Sequence, residues 1–386
     1  MRTGNWLMLY LPDDYIQRLG DFLQLPLDEP IPRTLKPFAE AITEISEGLK
    51  KKNKRSEFIR RIYLDQKVFR DAYLLYYGSI NFPKMHIPLA EIQKSDFFNQ
   101  KKNLRVLDAG SGTGSMLLGL AYWLKNETTL TAELTASDYA SSSLDTLSAF
   151  YKALALPYPL RTQILNLNHA VPSENKFDLI TAGNVLNELE PDAESKILPW
   201  LESALTQDGF VIWIEPALMD LSRRLLIFRD RLLKEGWFLY SPCFTNKPCP
   251  ALTEETDWCH HDVPWQRPEF IRVLDGMTGH IRQSLKFTYI VMGKRDIHLS
   301  DVTIGNRDYL STVRVVSERF EEKGRIRVFG CNDRGRCAYS MNKRDKSDDN
   351  LAFKKIERYD VVQLTETEEK SNYVGIGKNT KVRIVE

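Results

Sequence analysis

The sequence predicts an α/β protein built on a doubly wound sheet, with a helical amino-terminal region before it and a cysteine-rich segment and small β domain after it. Three observations carry this prediction. Residues 105–108 read as a buried strand that runs into a glycine-crowded turn and then an apolar helix over residues 115–124. Short apolar strands recur at residues 134–138, 163–166, 177–183 and 209–216, with an apolar helical pattern expected between each pair, as a doubly wound sheet demands. Beyond residue 300 the pattern changes to strands at 311–316, 325–329, 360–364 and 381–385 that carry Arg and Lys at alternate positions.

The turn after the first strand is the most informative feature. Gly110, Gly112 and Gly114 have no Cβ to block a ligand's approach to the backbone, and the helix that follows starts with free N–H groups. Their spacing is G-x-G-x-G, with Ser115 where a dinucleotide fingerprint has its third glycine and Asp108 two residues before the first. This pattern resembles motif I of the class I S-adenosylmethionine-dependent methyltransferases, which implies a Rossmann-like core that binds S-adenosylmethionine. Asp138, at the carboxyl end of the second strand, is positioned to accept both ribose hydroxyls; the same residue could instead cap the following helix. Asn166, after the third strand, is a candidate near the adenine amino group. Asn184, Asn187 and Glu188 follow the fourth strand and are the candidate catalytic groups, with helix capping as the alternative role of the last two.

The 386 residues, 42% hydrophobic, suffice for two or three domains. We divide them into a helical region (1–100), the cofactor-binding core (101–235), a cysteine-rich segment with a final core strand (236–299) and the small β domain (300–386). The first residues contain neither a signal-peptide pattern nor an Arg- and Ser-rich leader, and no stretch reaches the ~20 apolar residues of a membrane span. The expectation is a cytosolic monomer that makes no membrane contact. Lys and Arg total 53 against 52 Asp and Glu, so RNA attraction must be local rather than general. Candidate patches are Lys50, Lys51, Lys52, Lys54 and Arg55, continued by Arg60, Arg61, Lys67 and Arg70, and a helix with Arg223, Arg224, Arg229, Arg231 and Lys234. Either could equally be an ordinary solvated face.

All five cysteines lie beyond the core. Cys243, Cys249 and Cys259 fall in a proline-rich segment with few apolar residues, and Cys331 and Cys337 follow. An odd number argues against a disulfide framework, and an irregular segment can draw folding free energy from a metal. Reduced thiols and a thiolate-held zinc ion or iron–sulfur cluster both fit the spacings.

Together these features resemble the small-ribosomal-subunit methyltransferase-like assembly factors (Rsm type). The resemblance rests on Leu186-Asn187-Glu188-Leu189, Glu215-Pro216, Pro242-Cys243, Cys249-Pro250, Trp258-Cys259-His260 and Lys286-Phe287-Thr288-Tyr289, in that order. It implies association with the small ribosomal subunit or its rRNA, S-adenosylmethionine as cofactor, and a four-iron–four-sulfur cluster on Cys243, Cys249, Cys259 and Cys331, with zinc as the alternative metal. Cys337 competes for the fourth position, and His260 is a substitute ligand or a hydrogen-bond donor near the site. Departures from the family pattern are Phe244 and Thr245 where a histidine is common, and Ala217 where a glycine follows Glu-Pro.

Two functional classes follow, an rRNA methyltransferase and a catalytically inactive ribosome-binding assembly factor. The turn Asn184-Val185-Leu186-Asn187 lacks the Pro-Pro-aromatic pattern of amino-directed base methyltransferases, and the core lacks the nucleophilic cysteine of cytosine-C5 enzymes. A small-molecule methyltransferase would explain the core but neither the cysteines nor the β domain.

Overall fold

The computed structural model describes residues 8–50, 63–186, 188–190, 192–305 and 310–385. The described chain divides into two compact units, one comprising the described residues up to Leu225 together with Cys259–Tyr289, the other Leu226–Trp258 and the described residues from Ile290 on.

The larger unit is the doubly wound core. Its strands are β1 (Leu9–Tyr10), β2 (Asn103–Ala109), β3 (Thr131–Asp138), β4 (Leu160–Ile164), β5 (Phe177–Gly183), β6 (Leu205–Pro216), β8 (His261–Gln266) and β9 (Ser284–Gly293), with β7 (Phe238–Ser241) between β6 and β8 in sequence. The sheet order is β1-β8-β9-β6-β5-β2-β3-β4. β2 pairs in parallel with both β3 and β5, so the chain winds outward in one direction through β3 and β4 and then resumes on the other side at β5. That reversal opens a crevice at the carboxyl ends of β2 and β5, where ligands of such sheets bind. β8 and β9 run antiparallel, making the sheet mixed, and Ile290–Gly293 at the end of β9 belong to the smaller unit, where β7 pairs with them. This is the Rossmann-like fold of class I methyltransferases.

Sequence patterns account for these elements. Leu104, Val106 and Leu107 in β2, and Leu179 and Ile180 in β5, are at most 1% exposed, as strands covered on both faces require. The helix Ser115–Glu127 is buried over all its residues from Ser115 to Leu124, which explains its near-continuous apolar run. One expected helix is absent. Between β4 and β5 the described chain makes only a 3-10 turn at Leu167–His169, because residues 165–176 hold Asn166, Asn168, Pro172, Ser173 and Asn175 in place of a helical apolar stripe.

The amino-terminal region contributes helices Asp13–Leu23 and Pro32–Lys50 and a π-helical turn, Tyr73–Gly78. Lys51, Lys52, Lys54, Arg55, Arg60 and Arg61 lie outside the described residues. Among the described residues no helix is long and apolar enough to cross a membrane.

In the smaller unit the expected carboxyl-terminal strands form β10 (Thr312–Val315), β11 (Phe320–Glu322), β12 (Arg325–Asn332), β13 (Gly335–Asn342), β14 (Val361–Thr365), β15 (Glu368–Glu369), β16 (Val374–Gly375) and β17 (Lys381–Ile384). They make a sheet of order β15-β16-β13-β12-β10-β14-β17, with β11 on β12. Alternation places Ile326 and Val328 in a core with Val313, Tyr339, Met341 and Phe353, and turns Arg325, Arg327 and Phe329 to the other face.

Candidate functional site

The crevice at the β2–β5 switch point is lined by the glycine turn and by the ends of β3, β4 and β5. Gly112 has φ +52°, and a Cβ built on it would meet nothing within 4 Å, so its bare Cα faces open space. The flanking glycines serve packing as well. A Cβ on Gly110 would stand 2.7 Å from Val185 Cγ2, and one on Gly114 2.3 Å from Leu147 Cδ1.

Asp138 ends β3 and holds the turn in place. Its Oδ2 accepts the Gly112 amide at 2.8 Å and its Oδ1 the Ala140 amide at 2.9 Å. The helix that follows, Ser141–Leu154, has Ala140 as its N-cap and no side-chain cap, so Asp138 closes a turn on the crevice wall and does not cap that helix. Burial raises its pKa against the hydrogen bonds from Ala140 and Gly112. Asp108 is 1% exposed and accepts from Thr181 Oγ1 at 2.5 Å. Burial pushes its carboxyl up to about 7, opposed by that hydrogen bond and reinforced by the charge of Asp138.

Asn184 follows β5 in a left-handed conformation, φ 62°, with its amide bonded to Ile214 O at 2.8 Å. Its Oδ1 is buried with no hydrogen-bond partner among the described residues. Glu188 lies in the same crevice, where it hydrogen-bonds Tyr139 and, with burial, raises the pKa of Tyr139 and Tyr73. Asn166 lines the crevice while its Oδ1 accepts the Asn168 amide at 3.0 Å, capping the 3-10 turn. Asn187 lies outside the described residues.

Several residues of this site had no reading from sequence as part of it. Tyr73 and Tyr139 line the crevice, Tyr73 from the π-helical turn, a geometry common near functional sites. Glu215 is fully buried, and its Oε1 accepts from the Val185 amide at 3.0 Å, the Leu186 amide at 2.9 Å and Trp213 Nε1 at 2.9 Å. Burial pushes its carboxyl up to about 7, opposed by those donors. Arg224 grips the same turn from outside, donating to Leu186 O, to Leu189 O at 3.2 Å and to Glu194 at 3.0 Å. Glu215-Pro216 gave a signal as a motif without a role, and Arg224 as one charge of a basic helix face.

The cysteine segment is ordered by other means than expected. Arg229, 1% exposed, donates to Lys247 O at 3.0 Å and Thr245 O at 2.7 Å, and Asp230 accepts the Cys249 amide at 3.0 Å. Arg314 donates to Pro242 O at 3.1 Å and lies 5.2 Å over the Phe244 ring. Buried arginines thus satisfy carbonyls that a small core could not, and Arg224 and Arg229 leave the basic helix face on which the sequence put them. Among the described residues no group of three or more His, Cys, Asp or Glu is disposed to hold a metal ion. The expected metal centre on Cys243, Cys249, Cys259 and Cys331 is therefore not shown. Cys243 does lie near Cys249, whose thiol burial and that neighbour push up to about 11. Cys331 and Cys337 occupy opposite faces of the β12–β13 hairpin: Cys331 registers with Arg336, whereas Cys337 registers with Gly330 and packs against the β-domain core. The Arg336 face also carries an ion pair to Asp257.

Residues 68–356, more than half of the chain, match the family model described as mitochondrial small ribosomal subunit Rsm22. No curated protein matches. Solved structures similar to the chain include a putative class I S-adenosylmethionine-dependent methyltransferase from Listeria monocytogenes, 13% identical with TM-score 0.39, over 74% of this chain and 88% of that one. A second is an S-adenosylmethionine-dependent methyltransferase from Thiobacillus denitrificans in complex with S-adenosyl-L-homocysteine, 13% identical with TM-score 0.33, over 54% and 92%. A third is TehB from Haemophilus influenzae, 16% identical with TM-score 0.34, over 53% of this chain and 62%, less than two thirds, of that one.

Proposed function

Because the chain belongs to the family described as mitochondrial small ribosomal subunit Rsm22, we propose that it binds S-adenosylmethionine in the β2–β5 crevice and acts on the small ribosomal subunit, as an rRNA methyltransferase or as an assembly factor. The observation that carries the cofactor half is Gly112, an open left-handed glycine beside Asp138 at the switch point. The family membership carries the ribosomal half.

When bound, S-adenosylmethionine supplies an electrophilic methyl on a sulfonium. Asp138 would accept the ribose hydroxyls with the lone pairs that its backbone hydrogen bonds leave free. Glu215 and Arg224 fix the turn after β5, so that Asn184 and Glu188 keep their places on the crevice wall. Asn187 belongs to the same proposed set of catalytic groups. Asn184 Oδ1, buried and with no partner among the described residues, suits a donor on the acceptor substrate.

The finer proposal, a four-iron–four-sulfur cluster or a zinc ion on Cys243, Cys249, Cys259 and Cys331, needs a ligand grouping that the described residues do not present. Its support is the nearness of Cys243 to Cys249 and the placement of Cys331 away from the β core. A cytosolic monomer is part of the same proposal.

The deciding experiment incubates the protein with small subunits and methyl-labelled cofactor. Label in the rRNA assigns the enzyme. Subunit binding without label assigns the assembly factor, and absence of both defeats the proposal.

A further inference from the structure

The missing helix between β4 and β5 leaves one face of the β3–β4 edge uncovered, and the side chains on that face are polar. β2, β3 and β4 register Arg105 with Glu133, Thr135 with Arg161 and Ser137 with Gln163, which puts Arg105, Glu133, Thr135, Arg161 and Gln163 on one side of the sheet. Leu134 and Ala136, on the opposite side of β3, are buried. A doubly wound sheet ordinarily carries apolar residues on both faces beneath its helices, so this polar face is written into the sequence and is not an apolar surface left bare. These residues, with Lys176 just before β5, line an open cleft of about 370 Å³.

Charge selects the occupant. Arg105, Arg161 and Lys176 stand against one lining carboxylate, Glu133, and that carboxylate already accepts from Asn103 at 3.2 Å. Arg161 and Lys176 are exposed and have no ion-pair partner among the described residues. Arg105 lies 3.7 Å from Asp178 with its side chain 47% exposed. Thr135 and Gln163 add neutral hydrogen-bond donors of the kind that contact phosphate and ribose oxygens. The one aromatic residue of the lining, Phe177, is 8% exposed and offers no ring for base stacking.

We infer that this cleft is a docking surface for the sugar-phosphate backbone of double-stranded RNA, separate from the cofactor crevice. The inference rests on the proposed action at the small subunit and names a surface for it. Recognition is by charge and shape, with no base reading, as A-form helices require.

The test titrates the full chain with a fluorescent RNA hairpin carrying a duplex of ~16 base pairs, a length a shape-reading domain spans, and with unstructured single-stranded RNA, over a salt series. Wild type is expected to bind the hairpin more tightly. Arg161→Ala with Lys176→Ala should reduce the slope of log K against log salt by ~1–2, since each phosphate contact contributes somewhat under one. Melting temperature should not change, and Arg161→Lys with Lys176→Arg should restore binding. An alanine variant that binds the hairpin like wild type at every salt concentration overturns the surface, as does equal affinity for single-stranded RNA. Sedimentation with small subunits separates the two layers. If wild type fails to sediment, the ribosomal reading falls; if wild type and the alanine variant sediment alike, only this surface falls.

Discussion

Asp138 Oδ2 accepts the amide hydrogen of Gly112 at 2.8 Å, so one carboxylate joins the end of β3 to the glycine turn that follows β2. Its other oxygen accepts the Ala140 amide at 2.9 Å and closes the turn before the next helix. Asp138→Asn is expected to destabilise the protein by about 1–3 kcal/mol, because the amide nitrogen must face a backbone N–H that is then left without an acceptor. Urea denaturation measures this, and an unchanged midpoint would contradict it.

Stability should depend on pH through two buried carboxyls. Asp108 and Glu215 are each pushed up to about 7, so between the ordinary carboxyl range and 7 the folded chain holds protons that the unfolded chain has released. Stability therefore falls as pH rises through that window, by at most about 4 kcal/mol per group. Glu215→Gln keeps an oxygen for the Val185 and Leu186 amides and removes the titration. Denaturation at pH 5 and 7.5 should give a smaller loss for this variant than for wild type, and equal losses would contradict the assignment.

The two hairpin cysteines are expected to behave differently. Cys337 packs against the β-domain core and Cys331 faces the other way, so metal bound to anaerobically purified protein should survive Cys337→Ser and be lost in Cys331→Ser. The opposite pattern would exchange the two ligands. Protein free of both iron and zinc would remove the metal centre altogether.

Subunit association should be separable from the crevice. Asn187→Ala with Glu188→Ala is expected to leave sedimentation with small subunits intact, while neutralising Lys51, Lys52, Lys54 and Arg55 weakens it and flattens its salt dependence. A neutralised variant that sediments like wild type at every salt concentration would make that run an ordinary solvated segment.

The fold was legible where one residue type answers to one physical demand. Glycines at 110, 112 and 114 mark a backbone that turns left-handed, and Val106 and Ile180 mark strands buried on both faces. What sequence could not reveal depends on contacts remote in the chain. Arg229 reads as one more charge on a basic helix, and only the packing of residues 245–247 against it explains its 1% exposure. Glu215 binds a turn thirty residues earlier, and Tyr73 reaches the crevice from a π-helical turn with no periodic signature of its own. The doubly wound pattern predicts a helix across residues 165–176, and their polar composition, with Asn166, Asn168, Pro172 and Asn175, prevents one.

The central claim is that the open glycine turn holds S-adenosylmethionine, and calorimetric titration of wild type and Gly112→Asp with S-adenosylmethionine and S-adenosylhomocysteine tests it most directly. Gly112 has open space before it and φ +52°, so a carboxylate there would fill the crevice beside Asp138 and strain the turn by about 1–2 kcal/mol. Wild type should bind with a stoichiometry of one and the variant should give no heat of binding. Equal binding by both proteins, or no binding by wild type, would contradict the account.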